Sequence, residues 1–294
     1  MSATPQQLKL AAEFLDGLPD LPSLSPASVS IVRSIDLGRD NFPALARVVE
    51  GDPVLAGRVL KVANSAYYAA ANRLTSISSA IARLGIDEVR ALVSAAALIR
   101  QFQNDELPFD LSAFWNHSLT TALACHAISS PEAQPSGRLM GDNPYYLAGL
   151  MHHLGLLVEA IHSPKAYRQA AALSKERQCS MEAAELEVMG FAHPATAAVL
   201  FERWQMPTAT IDAALYHLDP ANCPGDQHSA QVVHMAGLMA HGLGGYPFEG
   251  VTASPGFDAA VLEQLGWSMD RLDQLKSRVE SQAAQAAWLY RTLV

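Results

Sequence analysis

The sequence predicts an all-α protein, and three observations carry that prediction. Apolar residues recur at helical steps along nearly the whole chain, proline and glycine punctuate the ends of those stretches, and no alternating run is long enough for a sheet. Ile77, Ala80, Ile81 and Leu84 share one face, and Gly85 is expected to end that helix in the left-handed conformation. A second helix is expected at once, capped by Asp87, with Val89, Leu92, Val93, Ala96 and Ile99 on one face. Pro144 can open a helix running on through Leu147, Leu150, Met151 and Leu154. Pro194 can open another, through Ala198, Val199 and Phe201 to Trp204, closed before Pro207. The next runs from about Ala209 through Ile211, Ala214 and Leu215 to His217, and Pro220 ends it. The last, Ser268 to Leu293, places Leu272, Leu275, Val279, Ala283 and Ala287 at helical steps.

Segments 131–144 and 242–256 carry the proline and glycine of surface loops. A polar turn near 104–108 separates two helical blocks. It predicts an N-terminal helical subdomain over residues 1–105 and a larger one over 106–294, sharing an interface.

Half of the 294 residues are apolar and 17% are charged, enough to bury the core of one large domain or two packed subdomains. Residues 1–100 carry ten basic and nine acidic side chains, a net of +1, whereas the rest carry ten and twenty, a net of −10. An acidic surface repels a phosphate backbone, so nucleic acid is not an expected partner. Cys125, Cys179 and Cys223 form no Cys-x-x-Cys pair, which fits reduced thiols better than a disulfide framework. The first ten residues lack the basic and apolar regions of a signal peptide, and no apolar segment approaches the ~20 residues needed to cross a bilayer. A cytoplasmic protein without a membrane partner is expected.

Of ten histidines, five are spaced suggestively: His117, His152, His153, His193 and His217. Imidazole nitrogens bind divalent first-row metals well, and a helical bundle can gather ligands from several helices. Each one taken alone has a plainer role as a cap on helix carbonyls or a half-buried side chain. Neighbours on a helix also point about 100° apart, so His152 and His153 are not expected to face one point together. The segment Asn64-Ser65-Ala66-Tyr67-Tyr68 has two readings as well. Its polar residues can bond neighbouring backbone while the tyrosines anchor an interface, or it can line a crevice between the two halves.

Taken in order, these elements resemble the HDOD (HD-related output domain) family of bacterial signalling proteins. The resemblance starts at Leu18-Pro19-Asp20-Leu21-Pro22-Ser23-Leu24 and continues through Asp52-Pro53-Val54-Leu55 and Ala63-Asn64-Ser65-Ala66-Tyr67-Tyr68 to Ile81-Ala82-Arg83-Leu84-Gly85. Further on it rests on Trp115-Asn116-His117, Leu150-Met151-His152-His153-Leu154-Gly155, Met189-Gly190-Phe191-Ala192-His193, Trp204-Gln205-Met206-Pro207 and Tyr216-His217-Leu218-Asp219-Pro220. It spans about residues 15–240. It implies an N-terminal helical part packed on an HD-like helical bundle, and a role in signal transduction.

The departures bear on activity. HD phosphohydrolases use a His-Asp dyad, further histidines and a distal Asp. Here His153 stands at the Asp position, a doubled histidine is reduced to His217-Leu218, and the distal helix reads Val233-His234-Met235-Ala236-Gly237. Glu159 and Glu187 are the nearest carboxylates, and neither fits the motif. Gly245-Tyr246-Pro247 matches a phosphodiesterase element but lies too far downstream, and reads as a turn. The expectation is a non-catalytic regulatory module acting through protein partners, with a vestigial metal site. No cofactor is expected, beyond a single transition-metal ion at the residual histidines. The alternatives are a residual metal-dependent phosphohydrolase acting on a nucleotide or cyclic dinucleotide, and a sensor that binds such a ligand uncleaved.

Overall fold

The computed structural model describes residues 3–18, 42–68, 72–103, 106–129, 144–243 and 259–294. They form fifteen α-helices and two 3-10 turns, with no strand among the described residues. Most of the Leu18–Leu24 block, the two expected loops and Gly245-Tyr246-Pro247 lie outside the described residues. None of the described helices is long and apolar enough to cross a membrane.

Helix α1 is Pro5–Asp16, α2 is Phe42–Glu50 and α3 is Pro53–Ala63. The Asp52 carboxylate opens α3 by accepting from the amides of Val54 (3.0 Å) and Leu55 (3.1 Å), and Arg100 donates to its other oxygen at 2.7 Å. The Leu55 amide bond is the largest influence on this carboxyl, and with the Arg100 guanidinium it holds the pKa below the usual range. Asn64 is the C-cap of α3 rather than an interior residue. Its carboxamide clamps Leu74, donating to the carbonyl at 2.9 Å and accepting from the amide at 2.7 Å. The 3-10 turn Ala66–Tyr68 follows. The Tyr68 hydroxyl donates to the buried carboxylate of Glu88. Tyr67 is 38% exposed, so only one tyrosine acts as the expected anchor.

Helix α4 (Ile77–Leu84) and helix α5 (Ile86–Gln101) meet at Gly85. Gly85 has φ 92° and ψ 155°, a positive φ as expected but extended rather than left-handed helical. That conformation starts α5 two residues earlier than Asp87 would, so Asp87 falls within the first turn, paired with Arg90 at 3.2 Å, and does not cap it. Helix α6 (Leu111–Ser129) is the central strut, buried along most of its length. Around it stand α7 (Pro144–Met151), α8 (Leu154–His162), α9 (Pro164–Arg177), α10 (Met181–Met189), α11 (His193–Arg203), α12 (Thr208–Tyr216), α13 (Gln227–Gly242), α14 (Ala259–Gln264) and α15 (Met269–Leu293). The buried face of α15 runs through Leu272, Leu275, Val279, Gln282, Ala286 and Leu289, a slight rotation from the expected Ala283 and Ala287.

Buried apolar residues from Ala11 to Leu293 form one continuous cluster that crosses the 105/106 position. The two ends of the chain are exchanged. Helix α1 packs on α11, where Arg203 binds Asp16 at 2.8 Å and Phe14 meets Phe191, while α15 reaches back to α3, where Arg58 donates to the Val294 carbonyl. Trp204 bridges the halves by packing on Phe201 and on Phe102 at the end of α5.

Asp52→Ala removes an N-cap and is expected to cost about 1–2 kcal/mol, with Asp52→Asn closer to wild type. Urea unfolding of the three proteins checks this. Gly57 lies exposed in α3 with nothing within 4 Å of an added Cβ, so Gly57→Ala is expected to stabilise by about 0.5–1 kcal/mol. At Gly155 a Cβ would stand 2.0 Å from the His193 carbonyl oxygen and 2.7 Å from the Ala197 amide nitrogen, both backbone. Gly155→Ala is therefore expected to destabilise by about 3 kcal/mol or more, read in the same measurement.

Candidate metal centre

Five histidines converge in the core of the bundle. His117 comes from α6, His152 and His153 from the junction of α7 with α8, His193 from the first residue of α11, and His217 from the C-cap of α12. All five are buried, none more than 5% exposed. The ring centroids of His152 and His153 are 3.8 Å apart, and His153 stands 5.3 Å from each of His117, His193 and His217.

The expectation of one unbroken helix from Pro144 through Leu154 is corrected here, and with it the divergence of His152 and His153. The helix stops at Met151 and restarts at Leu154. The His152 ring turns back onto the Gly149 carbonyl at 2.7 Å, and the His153 backbone sits near φ −102°, ψ 10°, in the sparse region between helix and strand. Because both residues lie in a turn, the 100° rule between helix neighbours does not apply, and both rings enter the same cluster.

Three of the rings are fixed in one tautomer. The Nδ1 of His152 faces the Gly149 carbonyl at 2.7 Å and that of His217 faces the Ala214 carbonyl at 2.8 Å; a carbonyl can only accept, so each Nδ1 carries the proton. His193 Nδ1 lies 2.7 Å from Glu185 Oε2, which also accepts the His193 amide at 3.0 Å. The Nε2 atoms of His152, His193 and His217 are buried and have no hydrogen-bond partner among the described residues. A neutral imidazole anchored through Nδ1–H with its Nε2 lone pair unused is the usual state of a metal-binding histidine. Two sets of three residues bring donor atoms within 4.8 Å of one another, His117–His152–His153 and His153–His193–His217. The residues present therefore fit a single ion of the kind imidazole favours, such as zinc, nickel, cobalt or copper.

No carboxylate belongs to either set among the described residues. Glu187 is exposed and paired with Arg177. Glu159 is fully buried on α8 and accepts from the Thr196 hydroxyl at 2.5 Å. Glu185, on α10, is equally buried and was not a sequence candidate. Its signal was legible, however: with Met181, Ala184 and Val188 it occupies the apolar stripe of its helix, where a lone acid calls for an explanation. Burial pushes both carboxyls well above the usual range, Glu159 further through Glu185 beside it, while the His193 amide pulls Glu185 back down. Also missed were His234 and His241, which line a small cavity of about 40 Å³ over the cluster with Leu218, Val233, Gly237 and Leu238. An added Cβ at Gly237 would lie 3.9 Å from His152 Nε2, so its bare backbone forms one wall of that cavity.

The HDOD domain family model matches residues 21–220. Among solved structures the chain is similar to an HDOD domain protein of unknown function from Geobacter sulfurreducens, at 24% identity with 98% of each chain covered and a TM-score of 0.80. It is similar too to a candidate phosphohydrolase from Shewanella amazonensis SB2B, at 21% identity over 97% of this chain and 98% of that one, TM-score 0.74. A candidate signal transduction protein from Marinobacter aquaeolei VT8 is 24% identical, covering 98% of this chain and 65% of that chain, TM-score 0.76. At these identities the likeness establishes a shared all-helical fold. An uncharacterized protein of Treponema pallidum (strain Nichols) is 25% identical over 219 residues, 74% of this chain, which spans 42% of that relative's length.

Burial, and then the neighbouring imidazoles of His241 and His217, lower the His117 pKa to about 3. Burial likewise lowers His126, His152, His153, His193, His217 and His241. An unfolded histidine titrates near 6.5, so below that pH the unfolded chain binds more protons than the fold at these seven positions. The two raised glutamates act in the opposite sense and are outnumbered. Stability of chelator-treated protein is therefore full above about pH 7 and is expected to fall on acidification, with Tm lower by about 5 °C or more at pH 5.5 than at 7.5. A flat Tm across that window would contradict the burial of neutral imidazoles.

Proposed function

The chain belongs to the HDOD family, and we propose that it is a non-catalytic regulatory protein, acting through contacts with protein partners and carrying a single transition-metal ion on its histidine cluster. The observation that carries this reading is the donor set. Both groups of converging ligands consist of imidazoles alone among the described residues. A two-metal hydrolytic centre relies on anionic ligands that bridge and charge-balance its ions, and here the buried carboxylates stand behind the histidines instead. Size supports the same reading. The cavity over the cluster measures about 40 Å³, against ~300–1,000 Å³ for pockets that take drug-sized ligands. An ion and a water or two fit there.

Bound to three imidazoles, such an ion would tie together the α7–α8 turn, α11 and α12 as a structural centre does, and could polarise a bound water. The residues that would hold it are those of the two converging groups, His117–His152–His153 and His153–His193–His217. The partner surface belongs to the acidic remainder of the chain beyond residue 100, which favours a basic face on the partner. The runner-up, a residual phosphohydrolase, draws on the same three unengaged Nε2 atoms and needs a carboxylate that the donor set lacks.

Elemental analysis of tag-free protein prepared without chelator is expected to find about one transition-metal ion per chain, lost in His193→Ala. A screen of nucleotides and cyclic dinucleotides with Mn, Ni, Co and Zn added is expected to find no turnover. Hydrolysis that disappears in His152→Ala would overturn the non-catalytic reading in favour of the enzyme.

A further inference from the structure

The two ligand groups share His153, and one metal–nitrogen bond from that ring can serve only one of them. What surrounds each group differs. On one side, Glu185 receives both the ring N–H and the backbone N–H of His193 on a single oxygen, at 2.7 and 3.0 Å. Glu159 acts electrostatically on both His193 and Glu185 and is tied to α11 through Thr196, one turn beyond His193. Both acids are fully buried. On the other side, the imidazoles of His241 and His217 stand near His117 and disfavour positive charge there.

A divalent ion carries its full charge into the core, and a buried charge is tolerated only where opposite charge compensates it. Glu185 supplies such compensation directly behind His193, 2.7 Å from its Nδ1. An acid receiving Nδ1–H also makes the opposite nitrogen a stronger donor and holds the ring in place. The anchors of His193 and His217 leave Nε2 of each ring unengaged, and those are two members of one group.

We infer that Glu185, backed by Glu159, is a positioning residue for the metal, and that it selects His153–His193–His217 as the group that holds the ion. This rests on the metal-binding reading above and adds to it a location and a supporting carboxylate that lies outside both ligand groups.

Glu185→Gln keeps the shape and one acceptor oxygen while removing the charge. Metal affinity is measured by competition against a chromophoric chelator, on metal-free protein at a temperature where every variant is folded, together with the visible d–d spectrum of the cobalt(II) form. The expected result is about a 10–100-fold weaker affinity for zinc and cobalt in Glu185→Gln, and a shifted cobalt spectrum. Glu159→Gln is expected to weaken binding less. Glu187→Gln, two residues along the same helix but exposed and paired with Arg177, is the control and should match wild type.

A Glu185→Gln protein with wild-type affinity and an unshifted spectrum overturns the inference, even if its Tm falls, since that pattern belongs to a purely structural acid. Wild-type protein that takes up no metal overturns the metal-binding reading itself, and this inference with it. The two failures are told apart by the wild-type titration.

Discussion

Helix α8 meets the first turn of α11 at Gly155 with almost nothing between the two backbones, and the rest of the site depends on that approach. An added methyl there would stand 2.0 Å from the His193 carbonyl oxygen, a distance no rearrangement of side chains can relieve. Because the contact is backbone to backbone, it sets the position of His153, just before α8, against His193, at the start of α11. It also accounts for the break after Met151. A continuous helix could not both pack α7 on α6 and bring α8 down onto α11, and the turn at His152-His153 is where the chain changes direction.

The same approach creates an electrostatic problem in the core and the means of its solution. Two carboxyls and five imidazoles are gathered where water does not reach, and burial alone drives the acids up and the histidines down. Each acid is held by specific donors, Glu185 by two N–H groups of His193 and Glu159 by Thr196. What these bonds leave over are the buried Nε2 atoms of His152, His193 and His217, with the Glu185 carboxyl directly behind His193.

The exchange of the chain ends binds this centre to the remainder of the molecule. Helix α6, which carries His117, is packed along its length by α15, and α15 ends on Arg58 of α3. Helix α11, which carries His193, is covered by α1. The N-terminal helices thus reach both sides of the histidine cluster, α1 directly on α11 and α3 by way of α15 on α6.

The helices were largely legible from the sequence, because the spacing of apolar residues and the placing of Pro144, Pro194, Pro207 and Ser268 act over one or two turns and need no distant partner. The five histidines were legible as a set through the resemblance of their motifs, and the family follows from the same motifs. What the local pattern misjudged were Gly85, which is extended, Asp87, absorbed into the helix that Gly85 starts, Tyr67, left at the surface, and the helix interrupted at His152-His153, where α8 closes on α11. Glu185 carried a local signal, an acid on an apolar stripe, but its meaning required the eight-residue return to His193. Sequence alone determined the helices and the stock of imidazoles. Only the tertiary structure decided which of them share one point and which acids stand behind them, because that depends on the backbone contact between α8 and α11, which no local periodicity encodes.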